Sequence, residues 1–555
     1  MFTCFERYRL FCGLTVLLFS AGVAFGNVSK PDIAPSAPAA FLSQRSFDIP
    51  DWFAQAITND TVNSPDFIRR LREASAGVNV ICQGFLGMVL VEGKNVTQDV
   101  PGGTLLLKTS ANAGCIPAMD RLGFIYLEGK GVPKDQAEAV RWLEHAAKRG
   151  WANAQFNLGY CYERGLGVKR DFEQAAFWFR QAAEQAHLTG MGSLGVCYMA
   201  GRGIERNYDL AERWLKRAMN GGDVRAKLNL GVLYFEKGFG TNGPDGLRLI
   251  QEAAEQGDFR AQSQLAVLYY YGKGVSKDLT KYIEWTRKAA QQGLGDAQLN
   301  LSRALAYGQG VAKDLAEAKQ WVERAAAQGI PEACFVLGTW FSTNATPQQI
   351  AHENEWVRKA AEGNHREAQL KLALNYFEGR GMTRDDEEGM KWLRRSAEGG
   401  WARAEYLLSS FYSLGTNGLA KNPEESLKWL QLSAEHGFVH AQSYVGIYHL
   451  HGRGLPKDTK EALRWFRKAA LQGHAESQNN VGYGCDTGEV GYVDLVEAYM
   501  WYQLAAKQGE TRSRVNLSRL TPRLTPEQLS EGDRRVKEFT PQPAELPNLY
   551  VDPLQ

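Results

Sequence analysis

Repetition constrains this chain more than any other feature. The stretch from Ala118 to Gly150, AMDRLGFIYLEGKGVPKDQAEAVRWLEHAAKRG, returns in close copies about every 36 residues almost to the C-terminus. A period of that length belongs to a unit that buries its apolar face only against its neighbours. The expected fold is therefore all-α: a right-handed α/α superhelical solenoid of antiparallel helix pairs.

Within one copy, Ala118, Leu122 and Tyr126 stand four apart and share one face of a first helix, which Gly129 closes. Gly129-Lys130-Gly131 supplies residues that take positive φ at little steric cost, as a tight turn between antiparallel helices requires. Asp135 caps the second helix, in which Ala139, Trp142 and Ala146 form a stripe, and Gly150 ends it. Full copies open at Ala118, Ala154, Gly190, Ala226, Ala261, Ala297, Ala333, Ala368, Ala404, Ala441 and Ser477. A degenerate copy opens at Cys82, keeping Leu86, Gly87, Gly93, Val96, Asp99 and Gly114 but with Leu106 in place of Trp. That makes twelve repeats over residues 82–512. Ten of the 14 tryptophans hold the position of Trp142, which predicts indoles buried between hairpins. The copy at Ala333 has STNATPQQIAHENEW where the G-x-G-V turn belongs and lacks the usual Asp, so a local break is expected over 333–367.

These residues resemble the Sel-one-like repeat family, relatives of the tetratricopeptide repeats. The shared pattern is A-x3-L-G-x2-Y-x2-G-x-G-V, then Asp, then A-x2-W-x3-A-A-x2-G, and it covers about four-fifths of the chain. The resemblance implies a non-catalytic scaffold that binds protein partners along an extended concave surface, as members do in envelope and signalling assemblies. Some cysteine-rich members are linked to β-lactam binding or hydrolysis, which implies a second reading as a cell-wall-ligand-binding enzyme. In a eukaryotic secretory lumen the family includes an adaptor for degrading misfolded proteins, and only there would the sequons at Asn59, Asn95 and Asn344 matter.

The flanks carry address and termination signals. Arg7 and Arg9 precede the apolar run Leu10 to Phe25, and Ala24-Phe25-Gly26 fits a cleavage site, so 1–26 reads as a secretory signal and the protein as exported, periplasmic or secreted. An uncleaved anchor is the alternative; no other segment is long and apolar enough to span a bilayer. Residues 27–63 form a Pro/Ala-rich linker and N-terminal segment. Ser64-Pro65-Asp66 opens a capping helix within 64–81. Residues 513–555 hold a half-repeat, a capping-box helix from Thr525 and a tail. Once the signal is cut, six cysteines remain; Cys161 and Cys197 read as small buried side chains, and Cys82 and Cys115 as the best candidates for a bridge.

Tests for chemistry return structural explanations. Sixty-four basic against 62 acidic residues give no net push toward nucleic acid or anionic lipid. The Gly-rich turns lack the GxxxxGK[ST] of a phosphate loop, and no GxSxG, HExxH, CxxC or Ser-x-x-Lys occurs. His436 and His440 lie near one end of a helix and His449 and His451 near the other, roughly 13 Å apart at about 1.5 Å per residue, too far for one metal ion. No cofactor is expected. Lys134, Arg170, Lys277, Lys313, Arg384 and Lys457, each before a capping position, form a basic edge. That edge is either a solvated rim or a contact for an anionic envelope polymer, the latter implying a polysaccharide assembly or export factor.

One position carries the binding hypothesis. The fourth residue of the first helix is Asn157, Asn229, Asn300 and Asn480 in four copies, flanking the packed stripe at about 60°. An amide donates and accepts, which suits the backbone of an extended peptide from another protein; the competing reading is a bond to the neighbouring repeat. Val336, Leu407 and Tyr444 interrupt the ladder.

Overall fold

The computed structural model describes residues 64–542 apart from 78, 94–95, 237–242, 340–345 and 490, together with 50, 53, 55 and 56. The signal, nearly all of the linker, the asparagines of the three sequons and the end of the tail lie outside the described residues. Among the described residues there are twenty-seven α-helices, one short 3-10 turn and no strand. They fall into two compact units, Met1–Asp314 and Leu315–Gln555, divided between the two helices of the copy that opens at Ala297. Within each unit successive helices pack against one another as the solenoid reading requires.

The hairpin Ile116–Glu128 and Gln136–Lys148 shows how sequence sets the local structure. Gly129 and Gly131 sit at φ 67° and 72°, and the Asp135 amide donates to the Tyr126 carbonyl at 3.1 Å, folding the chain back. Asp135 Oδ1 then accepts from the Glu138 amide at 2.9 Å, capping the second helix. Asp171, Asp278, Asp385 and Asp458 cap in the same way. The second glycine of the turn has a further duty. A Cβ on Gly167 would stand 2.0 Å from the Gln136 carbonyl oxygen, and one on Gly203 1.8 Å from that of Phe172. Only a bare backbone lets each turn press onto the preceding hairpin.

A second close approach holds each hairpin together. The Gly of the L-G or V-G pair faces the residue that follows the tryptophan: Gly123 faces Leu143, Gly159 Phe179, Gly446 Phe466 and Gly482 Tyr502, each 2.8 Å or less from where a Cβ would be. Those four partners are fully buried and form the true core of their repeats. The tryptophans correct the sequence expectation. Trp321, Trp392 and Trp501 are buried, but the other seven are half-exposed. The residue one place on points inward and leaves the indole at the rim, where Lys288, Lys359 and Lys468 lie 3.9, 4.0 and 3.8 Å over the rings of Trp285, Trp356 and Trp465.

Glutamines stitch neighbouring hairpins. Gln262 Nε2 donates to the Ala254 carbonyl of the preceding hairpin at 3.1 Å, while its Oε1 accepts from Gln292 Nε2 at 2.8 Å. Gln155, Gln442 and Gln478 make the same two bonds in their repeats. In the copy at Ala404 the pair becomes Glu405 and His436, whose Nδ1 lies 2.8 Å from the buried carboxylate.

In unit 2, the departure at Ala333 leaves a seven-residue first helix, Pro331–Leu337, and a sixteen-residue second helix, Pro347–Glu362, started by a Thr346/Gln349 capping box. Both pack on their neighbours, so the expected break shortens one helix without interrupting the stack. A helix stands at each end of the described repeats. Pro65–Ala76 is capped by Ser64, and Phe67 meets Phe53 and Phe85. Pro526–Glu538 starts from the Thr525 capping box. Beyond it Phe539 packs on Trp501, and the Gln542 amide donates to the Leu471 carbonyl at 2.8 Å.

The expected Cys82–Cys115 bridge is not formed. Both are free thiols, as are Cys161, Cys197, Cys334 and Cys485, and all six are buried. Burial pushes the Cys82, Cys161, Cys197 and Cys485 thiols up to about 12, so these side chains act as small apolar groups. Among the described residues no helix is long and apolar enough to cross a membrane.

Candidate binding face of the first helices

Residues at steps 0, 4, 7 and 11 of each first helix fall on one side, away from the core stripe. The four asparagines occupy step 4 but are not equivalent. Asn157 is buried, and its Nδ2 donates to Asp120 Oδ1 of the preceding repeat at 3.1 Å. Its amide is thus committed to the neighbouring repeat, which corrects the ladder at that rung. Burial raises Asp120 to about 6 against the pull of the Asn157 amide. Asn516, at the same step of the C-terminal half-repeat, bonds Asn479 at 3.0 Å in the same fashion. Asn229, Asn300 and Asn480 are half-exposed, and their side chains make no hydrogen bond among the described residues. Asn229 and Asn300 lie in unit 1 and Asn480 in unit 2. Of the interrupting residues, Val336 is buried, whereas Tyr444 is exposed and stacks on Tyr406.

The electrostatics of unit 1 concentrate on this face. Burial raises the Tyr160 phenol, and the charges of Arg164 and Arg260 oppose it, although Arg260 belongs to a hairpin three repeats on. Burial likewise lowers Arg260; Asp258 opposes this, while Arg225 and Arg164 reinforce it. Charges from three repeats of unit 1, those of Arg164, Arg225 and Arg260, thus act within one field. Arg225 binds Asp223 at 3.3 Å and Thr189 Oγ1 at 3.0 Å. Arg164 reaches Glu163 only at 3.9 Å, and burial raises that carboxyl. Arg260 makes no side-chain hydrogen bond or ion pair among the described residues and lies over the Phe259 ring. Between Asn229 and Asn300 in repeat order stands Gln264, buried, with an Nε2 that has no hydrogen-bond partner among the described residues.

Sequence reasoning overlooked Arg225, Arg260 and Gln264. The signal was available: Arg225 and Arg260 each immediately precede the alanine that opens their copy, and Gln264 keeps the amide of the asparagine ladder.

The histidines have local partners. His187, His365 and His474 accept backbone amides as N-caps through Nδ1, and His449 Nδ1 meets the Pro456 carbonyl at 3.1 Å. A depression of about 460 Å³ on the C-terminal helix is lined by Glu531 and Arg534, which are paired with each other at 2.8 Å.

Comparison with known proteins gives the same pattern. The Sel1 repeat family model matches residues 116–151, 152–187, 190–223, 224–258, 260–294, 295–330, 366–401, 402–438, 439–474 and 475–510. The degenerate copy at Cys82 and the irregular one at Ala333 are not matched. No curated protein matches the chain. Among solved structures, a Sel1 repeat protein from Oxalobacter formigenes is 34% identical over 56% of this chain and 90% of its own, with a TM-score of 0.45. A protective antigen of uropathogenic Escherichia coli strains displaying an SLR fold is 29% identical over 85% of this chain and 94% of its own, with a TM-score of 0.44. An immunity protein from Pseudomonas aeruginosa is 18% identical over 39% and 81%, with a TM-score of 0.27. With ten matched copies over more than half of its length, the chain belongs to the Sel1 repeat family.

Proposed function

We propose that the protein is an exported, non-catalytic adaptor that holds an extended segment of another protein along the first-helix face. The observation that carries this reading is the contrast between Asn157 and its counterparts. One amide is buried on a neighbour, while those of Asn229, Asn300 and Asn480 stay half-exposed and unbonded among the described residues. Amides so placed meet the alternating donors and acceptors of a peptide backbone. Secretory localisation rests on the Arg7–Gly26 stretch. A photo-crosslinking residue at position 229 or 300 should capture a specific protein from the native envelope, and one at Glu284, exposed on a second helix, should not. Equal capture at all three positions would assign binding elsewhere.

A further inference from the structure

The adaptor reading leaves the chemistry of the partner open, and the arginines of unit 1 narrow it. Arg225 and Arg260 hold the same step of the touching helices Val224–Glu236 and Phe259–Tyr271. Packed helices lie about 8–10 Å apart. A chain extended as a polyproline II helix rises about 3.1 Å per residue with three residues per turn, so side chains three residues apart on a bound peptide share one side and match that spacing.

The carboxylates near these guanidiniums are already engaged. Asp258 accepts the Arg260 and Ala261 amides at 2.9 and 2.8 Å as an N-cap, and Asp223 accepts the Arg225 amide at 2.9 Å and its Nε at 3.3 Å; with one further N–H of Arg225 on Thr189 Oγ1, the rest of its five donors remain for a ligand. Asp296, one repeat further, takes the same step and ends the basic stretch. The buried, unpartnered donor of Gln264 lies in the same stretch of repeats.

We propose that the first-helix face of unit 1 is a site for an acidic, extended peptide segment. Carboxylates about three residues apart pair with Arg225 and Arg260, and the amides of Asn229, Gln264 and Asn300 serve its backbone. Guanidinium–carboxylate pairs are the stronger, charge-assisted kind of hydrogen bond, and partial burial protects them from screening. This inference rests on the adaptor reading and adds the sign of the partner's charge.

The test uses the full chain and two fluorophore-labelled heptapeptides, acetyl-DSSDSSD-amide and acetyl-NSSNSSN-amide, followed by fluorescence anisotropy at low salt. The acidic peptide should bind at least about tenfold more tightly, with an affinity that falls as salt rises. Arg260→Gln should abolish that advantage without changing the circular dichroism or melting temperature, since the side chain forms no hydrogen bond or ion pair among the described residues. Arg260→Lys should restore part of it. Equal affinity for the two peptides, no measurable binding of the acidic one, or an advantage that survives Arg260→Gln would overturn the proposal. If both peptides bind equally and Asn229→Ala with Asn300→Ala weakens both, the acidic preference falls while the adaptor reading stands.

Discussion

Alanine at Gly203 should cost this fold far more than alanine at Gly201, although both glycines sit in one turn at nearly the same φ, 64° and 67°. An L-residue in that left-handed region costs about 1–2 kcal/mol, and both variants carry this strain. At Gly201 the nearest atom to a new Cβ is Arg206 Cβ at 3.3 Å, in the same turn. At Gly203 the new Cβ would lie 1.8 Å from the carbonyl oxygen of Phe172 and 2.1 Å from its carbon, both backbone atoms of the preceding hairpin. Neither can swing aside, so one hairpin must move away from the next. Overpacking of this kind typically adds about 1–3 kcal/mol. The totals are about 1–2 kcal/mol for Gly201→Ala and about 2–5 kcal/mol for Gly203→Ala. A long repeat array does not unfold as one two-state body, so the readout is native-state hydrogen exchange of the Phe172–Glu184 and Tyr208–Asn220 helices. Faster exchange on both sides of the contact is expected in Gly203→Ala alone. Equal effects from the two variants would show that the second glycine serves only the turn, and would refute the inter-repeat role assigned to it.

Other perturbations read out separate devices. Asp120 has its folded-state pKa raised to about 6 from an ordinary 3.8, so its charged form opposes folding and stability falls as pH rises through that window. Asp120→Asn should therefore melt higher than the parent at pH 7, with the difference gone below about pH 4. His187 behaves oppositely: burial lowers it to about 4 from 6.5 while Nδ1 caps the Gly190 amide, so stability is lost as pH falls between those values. His187→Ala should cost roughly 1 kcal/mol at pH 7 and flatten the acid limb of a melting-temperature profile. Gln262→Ala, which removes two bonds and leaves the Ala254 carbonyl with the Gly257 amide alone, should cost about 1–3 kcal/mol, measured as faster exchange at the 254–262 junction. Cys82 and Cys115 should both remain alkylatable after unfolding without reductant; a mass showing them joined would contradict the free thiols.

Repetition made the fold legible, because Ala118, Gly129, Asp135 and their copies report helix faces, turns and caps that depend on local geometry alone. What lay between hairpins was harder to read. The tryptophans stood out by regularity, yet the residue after each fills the core, since a first-helix glycine such as Gly159 leaves room for Phe179 and not for the indole. The cysteine pairing failed because separation along a period says nothing of whether two thiols face one another. The asparagine ladder was visible as a pattern, but the loss of Asn157 to Asp120 depends on a contact 37 residues away that no local rule supplies.

The most direct measurement of the central claim is the affinity of a crosslinked partner for full-length protein carrying both Asn229→Ala and Asn300→Ala. An adaptor that grips its partner along the first-helix face should lose at least about tenfold in affinity with the melting temperature unchanged. Unchanged affinity, or a fall in melting temperature in place of a fall in affinity, would make these amides structural and contradict the account.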